Sequence, residues 1–436
     1  MGKTRYGLDT AALLFPVIAR RESCDFFRTW AAMDEPVDAE LLQQAVDDLA
    51  PRFPTFFVSL GHDFSQHYLE EIDGRLLVMP DRGRPLAPMR KRDLKKSCLR
   101  VPYGTSHIAA DFFHGITDGG GGVVFFLTLV ARYLELKHGV AIPAGGFILD
   151  LGQAPSLAET EDCFLTCAGE KAAMPRDPLA YIPQGHREPP ECLHLTVGVV
   201  NTAKLLEAAR KRETSVTALS VAAMVQALSD IQRKDTPRRR RKPVLVRVPV
   251  NLRGLFGVTT LRNFSLVVNV GVEARATPYR FDELCTTVRR QINEGNTAQY
   301  MAATMAAAVR ARQNPAFRLA PLFLKSLIIR LLYEFKGERC GSLTISNLGT
   351  IRLPEQMSRH VRCAGIFLGP TRIASHGVAI ASYGGDTYFY FTRSIREAEL
   401  EGHFFAHLAE AGLEARVFPC DDLSTEAFAA FPQRPL

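Results

Sequence analysis

Apolar residues set the first elements. After Asp38, which stands where a helix cap belongs, Leu41, Leu42, Ala45, Val46 and Leu49 recur at helical spacing. Short strand-like runs follow at 56–60, 68–72 and 76–79, then a hairpin of 99–103 and 106–114 turning at Gly104 and Thr105. Val123, Val124, Phe125, Phe126, Leu127, Leu129, Val130, Tyr133 and Leu134 then open a strongly apolar helix. Further on, the pattern predicts strands at 193–200, 244–250, 264–272, 343–346, 364–368, 377–382 and 387–392. Between and after them it predicts helices at 202–211, 215–231 and 397–411, and a long helical stretch over 281–334 broken near Asn314 and Pro315. The apolar run 319–335 is interrupted by Lys325 and Arg330, so it reads as a buried helix; a membrane span needs about 20 mostly apolar residues. Helices and strands mix without strict alternation, which predicts an α+β sandwich and not a doubly wound sheet.

A chain of 436 residues exceeds one ordinary core, so two domains are expected. The composition turns Pro-rich and charged over 169–190, which reads as the crossover between domains 1–185 and 186–436. With 47% hydrophobic and 23% charged residues the chain is globular, not disordered or fibrous. The net charge of +7 leans on the run Arg238, Arg239, Arg240, Arg241 and Lys242, in a loop where solvated charge is the default. No interleaved aromatics accompany that run, which argues against nucleic acid. Asp9 and Pro16 interrupt the apolar stretch 8–19, a poor secretory signal, and nine scattered cysteines show neither zinc nor disulfide spacing. Reduced thiols and a cytoplasmic location are therefore expected. His107 and His194 lie in strands and read as structural; His403 and His407 share a helix face, but no acidic third ligand is evident in the sequence, so no metal is expected.

One constellation carries chemistry. A strand ending in Asp111, Phe112, Phe113 and His114 runs through Gly115, Ile116, Thr117 and Asp118 into four glycines, Gly119 to Gly122, and straight into a helix. Alternation puts Ile108, Ala110, Phe112 and His114 on one face, with Asp111 and Phe113 on the other. A histidine leaving an apolar surface at a strand end keeps its imidazole neutral and basic. The glycines permit unusual φ angles and close backbone approach, and free amides at the helix start could face developing negative charge. A dinucleotide loop is rejected, because the glycines are contiguous and no Walker lysine follows. A core histidine before a flexible turn would be the default for an isolated His; the assembled pattern favours function.

The segment from His114 to Gly119 resembles the H-x-x-x-D-G motif of the CoA-dependent acyltransferase superfamily. That group includes chloramphenicol acetyltransferase, plant BAHD acyltransferases, condensation domains of peptide synthetases and alcohol acetyltransferases. Further similarity lies in Pro249-Val250-Asn251-Leu252-Arg253, Arg262-Asn263-Phe264, Ser346-Asn347-Leu348-Gly349 and Ser382-Tyr383-Gly384-Gly385. Their order covers nearly the whole chain and looks most like the alcohol acetyltransferase branch. Phe113 stands where condensation domains often carry an extra histidine, and the Asp-Phe-Gly-Trp-Gly segment of plant members is absent, the single tryptophan being Trp30.

The resemblance implies two similar chloramphenicol-acetyltransferase-like α/β sandwich domains with His114 at their interface, reached by a tunnel from each face. It implies His114 as general base, Asp118 turned away to pair with an arginine (Arg253 first, Arg262 second), and Gly119 giving the thioester backbone room. Asn263, Ser346 and Asn347 are candidates for lining the tunnel or stabilising the oxyanion; capping and turn roles fit them equally. No permanently bound cofactor and no metal are expected. Acyl-CoA, acetyl-CoA in the first place, would be co-substrate to a small or lipid-like alcohol or amine, and the 238–242 run could attract its phosphates. A transferase fed by a carrier-protein thioester and a catalytically silent scaffold are the alternatives.

Overall fold

A computed structural model describes residues 3–19, 26–83, 86–170, 177–189, 192–273 and 279–420. Part of the predicted crossover, 171–176 and 190, lies outside the described residues; its described parts, 169–170 and 177–189, contain no helix or strand beyond a single bridge from Arg187 to Ile395.

Among the described residues, two large sheets organise the chain. The first runs in the order Val361–Leu368, Phe26–Met33, His107–Phe113, Pro102–Tyr103 and Met79–Pro80, with Leu99–Arg100 also paired to His107–Phe113. The second has seven strands: Ser265–Val272, Val244–Asn251, Leu343–Thr350, His376–Tyr383, Asp386–Arg393, His194–Asn201 and Arg416–Pro419. A small sheet of Arg5–Gly7, His67–Glu71 and Val58–His62 stands apart. Helices Ala39–Leu49 and Gly119–His138 pack together against the first sheet, and Val216–Asp235, Phe281–Gly295 and Glu399–Glu410 against the second. The mixed α+β layering matches the predicted class.

The Val361–Leu368 strand comes from late in the chain yet pairs antiparallel with Phe26–Met33, placing Gly365 opposite Trp30. Trp30 stacks on Phe367 at 5.5 Å and meets the edge of Tyr390, from the second sheet, at 6.1 Å, so an aromatic seam ties the sheets together. A side chain at 365 would collide with the Tyr390 ring, which explains the glycine there.

Phe26–Met33 escapes the sequence reading because all eight residues are buried and no polar/apolar alternation survives. Its one charge, Arg28, faces Asp111 directly across the ladder and bonds it at 2.6 Å, with Asp81 at 2.6 Å on another nitrogen. Asp38 does cap its helix, accepting from the amides of Glu40 and Leu41. The long 281–334 stretch divides into Phe281–Gly295, Ala298–Gln313, Pro315–Leu319 and Leu322–Lys336, because Thr297 and Asn314 cap new helices and Pro321 begins another.

The run 319–335 is not a buried helix. Leu319 is 79% exposed and Phe323 75%, whereas Lys325 is buried and donates to the carbonyls of Ser65 and Arg318. Among the described residues, Gly119–His138 is by itself long and apolar enough to cross a membrane, but 67% of its apolar window is buried in the protein.

Candidate active site

His114 sits one residue past the His107–Phe113 strand, half-buried. Phe15 stacks on its ring at 4.3 Å and Phe27 meets it edge-on at 5.4 Å. Its Nδ1 lies 2.9 Å from Asn263 Oδ1. Which amide atom faces the ring follows from the next contact: Asn263 Nδ2 and its backbone N–H both donate to Asp9 Oδ2, at 3.1 and 3.3 Å. The amide oxygen is thereby turned to the imidazole, so Nδ1 carries the proton and Nε2 keeps its lone pair. Burial pushes the His114 pKa below its usual value, with the Asp118 charge pulling partly against it.

Asp9 is fully buried. Its other oxygen accepts from the Ala12 amide at 2.7 Å, and the Arg262 guanidinium approaches Oδ2 at 3.6 Å. Burial pushes its carboxyl up to about 6, with Arg262 opposing. Arg262, the second candidate partner of Asp118, is buried beside Asp9 instead and donates to the Gly7 carbonyl at 2.6 Å, so it anchors the segment that holds Asp9.

Asp118 points away from this chain of contacts. Arg253 grips it bidentately, Nη1 to Oδ2 at 3.0 Å and Nη2 to Oδ1 at 2.9 Å, while the Phe264 amide donates to Oδ2 at 2.7 Å. Oδ1 also caps the Gly119–His138 helix, accepting from Gly120 and Gly121. Burial would raise this carboxyl, and Arg253 with the Phe264 and Gly121 amides more than offsets it, leaving the pKa below the usual range. Arg253 further donates to the carbonyls of Thr260 and Arg262, so one ion pair clamps the histidine loop to the 251–264 segment.

The glycine run works differently from the sequence expectation. All four glycines lie in the first helical turn and none has positive φ. The amides of Gly120, Gly121 and Gly122 are all taken by Asp118, so they offer nothing to an oxyanion. Close approach is what requires glycine: a side chain at 121 would strike the Leu261 carbonyl and Thr117 Oγ1, and one at 122 the Phe27 ring. At Gly119 a Cβ would meet only Ile366 and Leu348, at the ordinary distances of 3.6 and 3.7 Å.

His114, Asp118, Arg253 and Asn263 are thus brought together. Asn347 is turned elsewhere, donating to Thr217 Oγ1 at 2.9 Å and accepting from the Gly349 amide at 2.8 Å, which is the turn role. Ser346 is half-buried in the Leu343–Thr350 strand, opposite Ala379. Asp9, Phe15 and Phe27 were not found from the sequence.

His407, paired in the sequence with His403, has Asp230 Oδ2 at 2.6 Å from Nε2, an acidic neighbour supplied by a different helix. These three, and separately Glu35, His138 and His360, are spaced closely enough for a metal. Arg233 bonds Asp230, Lys137 lies 3.2 Å from Glu35, and the His138 and His360 rings stack at 3.9 Å, so each group is already satisfied as an ion-pair cluster. Arg240 and Lys242, from the basic run, line a cleft of about 790 Å³ with Arg187, Arg339 and Arg372.

No protein-family model and no curated protein sequence matches the chain. Solved structures do. TRI101 of F. graminearum, complexed with coenzyme A and T-2 mycotoxin, superposes with a TM-score of 0.61 at 10% identity, over 95% of this chain and all of that one (100%). The epimerization domain from the third module of tyrocidine synthetase B gives 0.59 at 12% identity, over 94% and 96% of the two chains. The wax ester synthase/diacylglycerol acyltransferase from Marinobacter aquaeolei VT8 gives 0.53 at 14%, over 93% and 100%.

Proposed function

We propose, for a chain that has the chloramphenicol acetyltransferase-like fold of CoA-dependent acyltransferases and condensation domains, that it moves an acyl group from acyl-CoA to a hydroxyl or amine. The observation that carries this reading is the His114–Asn263 contact, which holds the proton on Nδ1 and leaves Nε2 as base in an imidazole that burial keeps neutral. His114 Nε2 takes the proton of the acceptor as its oxygen or nitrogen attacks the thioester carbonyl. The tetrahedral intermediate then collapses, the C–S bond breaks, and the CoA thiolate leaves with that proton returned from His114. General-base help of this kind is worth ~10²–10⁴ in rate, and holding donor and acceptor in line adds more. No covalent enzyme intermediate is involved.

In this reading Asp118 and Arg253 act on structure, Asn263 positions the base, and Gly119 gives the donor backbone room. Ser346 stays a candidate for the tunnel wall. The halves 1–185 and 186–436 form the two sandwich domains, with the late strand Val361–Leu368 lent to the first. A free acyl-CoA donor, acetyl-CoA foremost, and a small or lipid-like alcohol acceptor fit the apolar neighbours of His114, namely Phe15, Phe27 and Ile116. A cytoplasmic location belongs to the same reading.

Thiol release from acyl-CoAs of several lengths, with a panel of alcohols and amines, tests it. Turnover is expected, and His114→Ala should lower it by ~10² or more while circular dichroism and melting stay unchanged. Unchanged turnover in that variant would sink the assignment; turnover only from a carrier-bound thioester would move the donor to a carrier protein.

A further inference from the structure

The Leu322–Lys336 helix presents an apolar face to water. Phe323 is 75% exposed, Phe335 56%, Leu327 50% and Leu331 47%, and these four recur every four residues along one side. Leu319 at one end and Phe64, 75% exposed and bonded through its carbonyl to the Leu322 amide, extend the patch beyond the helix. The helix's two central cations go the other way: Lys325 is buried against the Ser65 and Arg318 carbonyls, and Arg330 reaches the Val17 carbonyl. A face stripped of charge in this manner is built to meet a nonaqueous phase.

We propose that this face docks on an anionic lipid bilayer, the helix lying in the plane of the interface. At fifteen residues the helix is roughly 22 Å long, short of the ~30 Å hydrocarbon thickness and suited to lying flat. Charge selects the occupant. Over 298–340 the sequence has seven Lys and Arg against two Glu; of the seven, Lys325 and Arg330 are turned inward and Arg312 pairs with Asp162. Both acids are engaged, Glu334 with Arg372 and Glu338 with the Ile373 amide, while exposed Arg318 adjoins Leu319 at one end of the apolar surface and exposed Arg339 lies 5.6 Å from the Phe335 ring at the other. Two copies of an apolar face flanked by unpaired cations repel one another at those flanks, whereas phosphate headgroups neutralise them. The docked face also lies one element from the candidate active site. Arg330 holds the carbonyl of Val17, and Phe15 of the same short helix, Phe15–Ile18, stacks on His114. A bilayer-dissolved acceptor would leave the lipid beside that segment. The docking itself rests on exposure and charge, independently of acyl transfer.

Flotation of the full chain with phosphatidylcholine/phosphatidylglycerol vesicles, against pure phosphatidylcholine, tests it. The protein floats with the anionic vesicles. The triple variant Phe323→Ser, Leu327→Ser, Leu331→Ser loses partitioning by about tenfold or more with unchanged melting, since it alters only exposed side chains. Arg318→Gln with Arg339→Gln lowers partitioning on anionic vesicles alone. Absence of flotation by the unmodified chain, or equal flotation by the triple variant, overturns the inference. So does sedimentation showing a dimer that the triple variant makes monomeric, without vesicle binding. His114→Ala floats normally, so failure here and failure of the acyl-transfer reading are separable.

Discussion

A base must keep one ring nitrogen occupied and the other open, and at His114 three residues far apart in the chain divide that task. Asp9 orients the Asn263 amide, and the amide oxygen holds Nδ1. Asn263→Ala and Asp9→Asn are therefore expected to lower kcat by ~10–100-fold with KM little changed, the range typical of lost outer-shell support. A KM effect with kcat intact would instead assign Asn263 to substrate binding. Because burial depresses the His114 pKa, the neutral form persists on acidification, and the acid limb of the kcat/KM profile should have its midpoint below 6.5. The histidine, Asp118, Arg253 and Asn263 were legible in the sequence, since a motif or a short neighbouring pattern marks each. Asp9 was not. In the sequence it reads only as a polar interruption of an apolar run, and nothing local says that a buried amide will come to meet it.

At the scale of elements, the Gly119–His138 helix depends on Asp118 for its cap and for its attachment to Arg253. Asp118→Asn separates the two roles, because asparagine caps helices about as well as aspartate. The variant should lose about 3–5 kcal/mol of stability by leaving Arg253 without a counter-charge, and activity should fall with it. Thermal melting alongside turnover checks this. Activity lost at unchanged stability would mean that Asp118 orients His114 directly. Helices with caps were read closely from the pattern, Thr202–Lys211 to the residue. The apolar run 319–335 reads as a buried helix, yet Leu322–Lys336 presents its apolar side to water. Periodicity locates an apolar face without saying which phase it meets, and two cations that bond backbone carbonyls on the inner side reverse the usual assignment.

Across the whole molecule, the buried His376 and the half-buried His67 couple the fold to pH. Burial, reinforced by the like charge of Arg393, holds His376 down at about 3, and burial holds His67 at about 4. For a histidine depressed in the fold, the unfolded chain binds the proton first. The stabilisation is full above ~6.5 and is lost as pH falls toward the folded pKa. Asp9 and His407, both raised, work in the opposite direction. The clean measurement is thus a difference: between pH 7 and 5, His376→Gln should lose less stability than the unmodified chain, by about 2 kcal/mol. Denaturant melts at both pH values decide it, and an equal loss would show that the fold does not hold the His376 pKa below its ordinary value. The α+β class was legible from the unordered mixture of helices and strands. The sheet order was not, because the Val361–Leu368 strand takes its place beside Phe26–Met33 through tertiary pairing that no local pattern announces. That pairing also orders events in time. When Phe113 emerges from the ribosome, the Phe26–Met33 strand has one partner and one bare edge, and the second partner is about 250 residues away, roughly 10–50 s of synthesis. The nascent chain must shield that apolar, unpaired edge throughout this interval, which makes it the natural point for chaperone engagement and for aggregation when translation stalls.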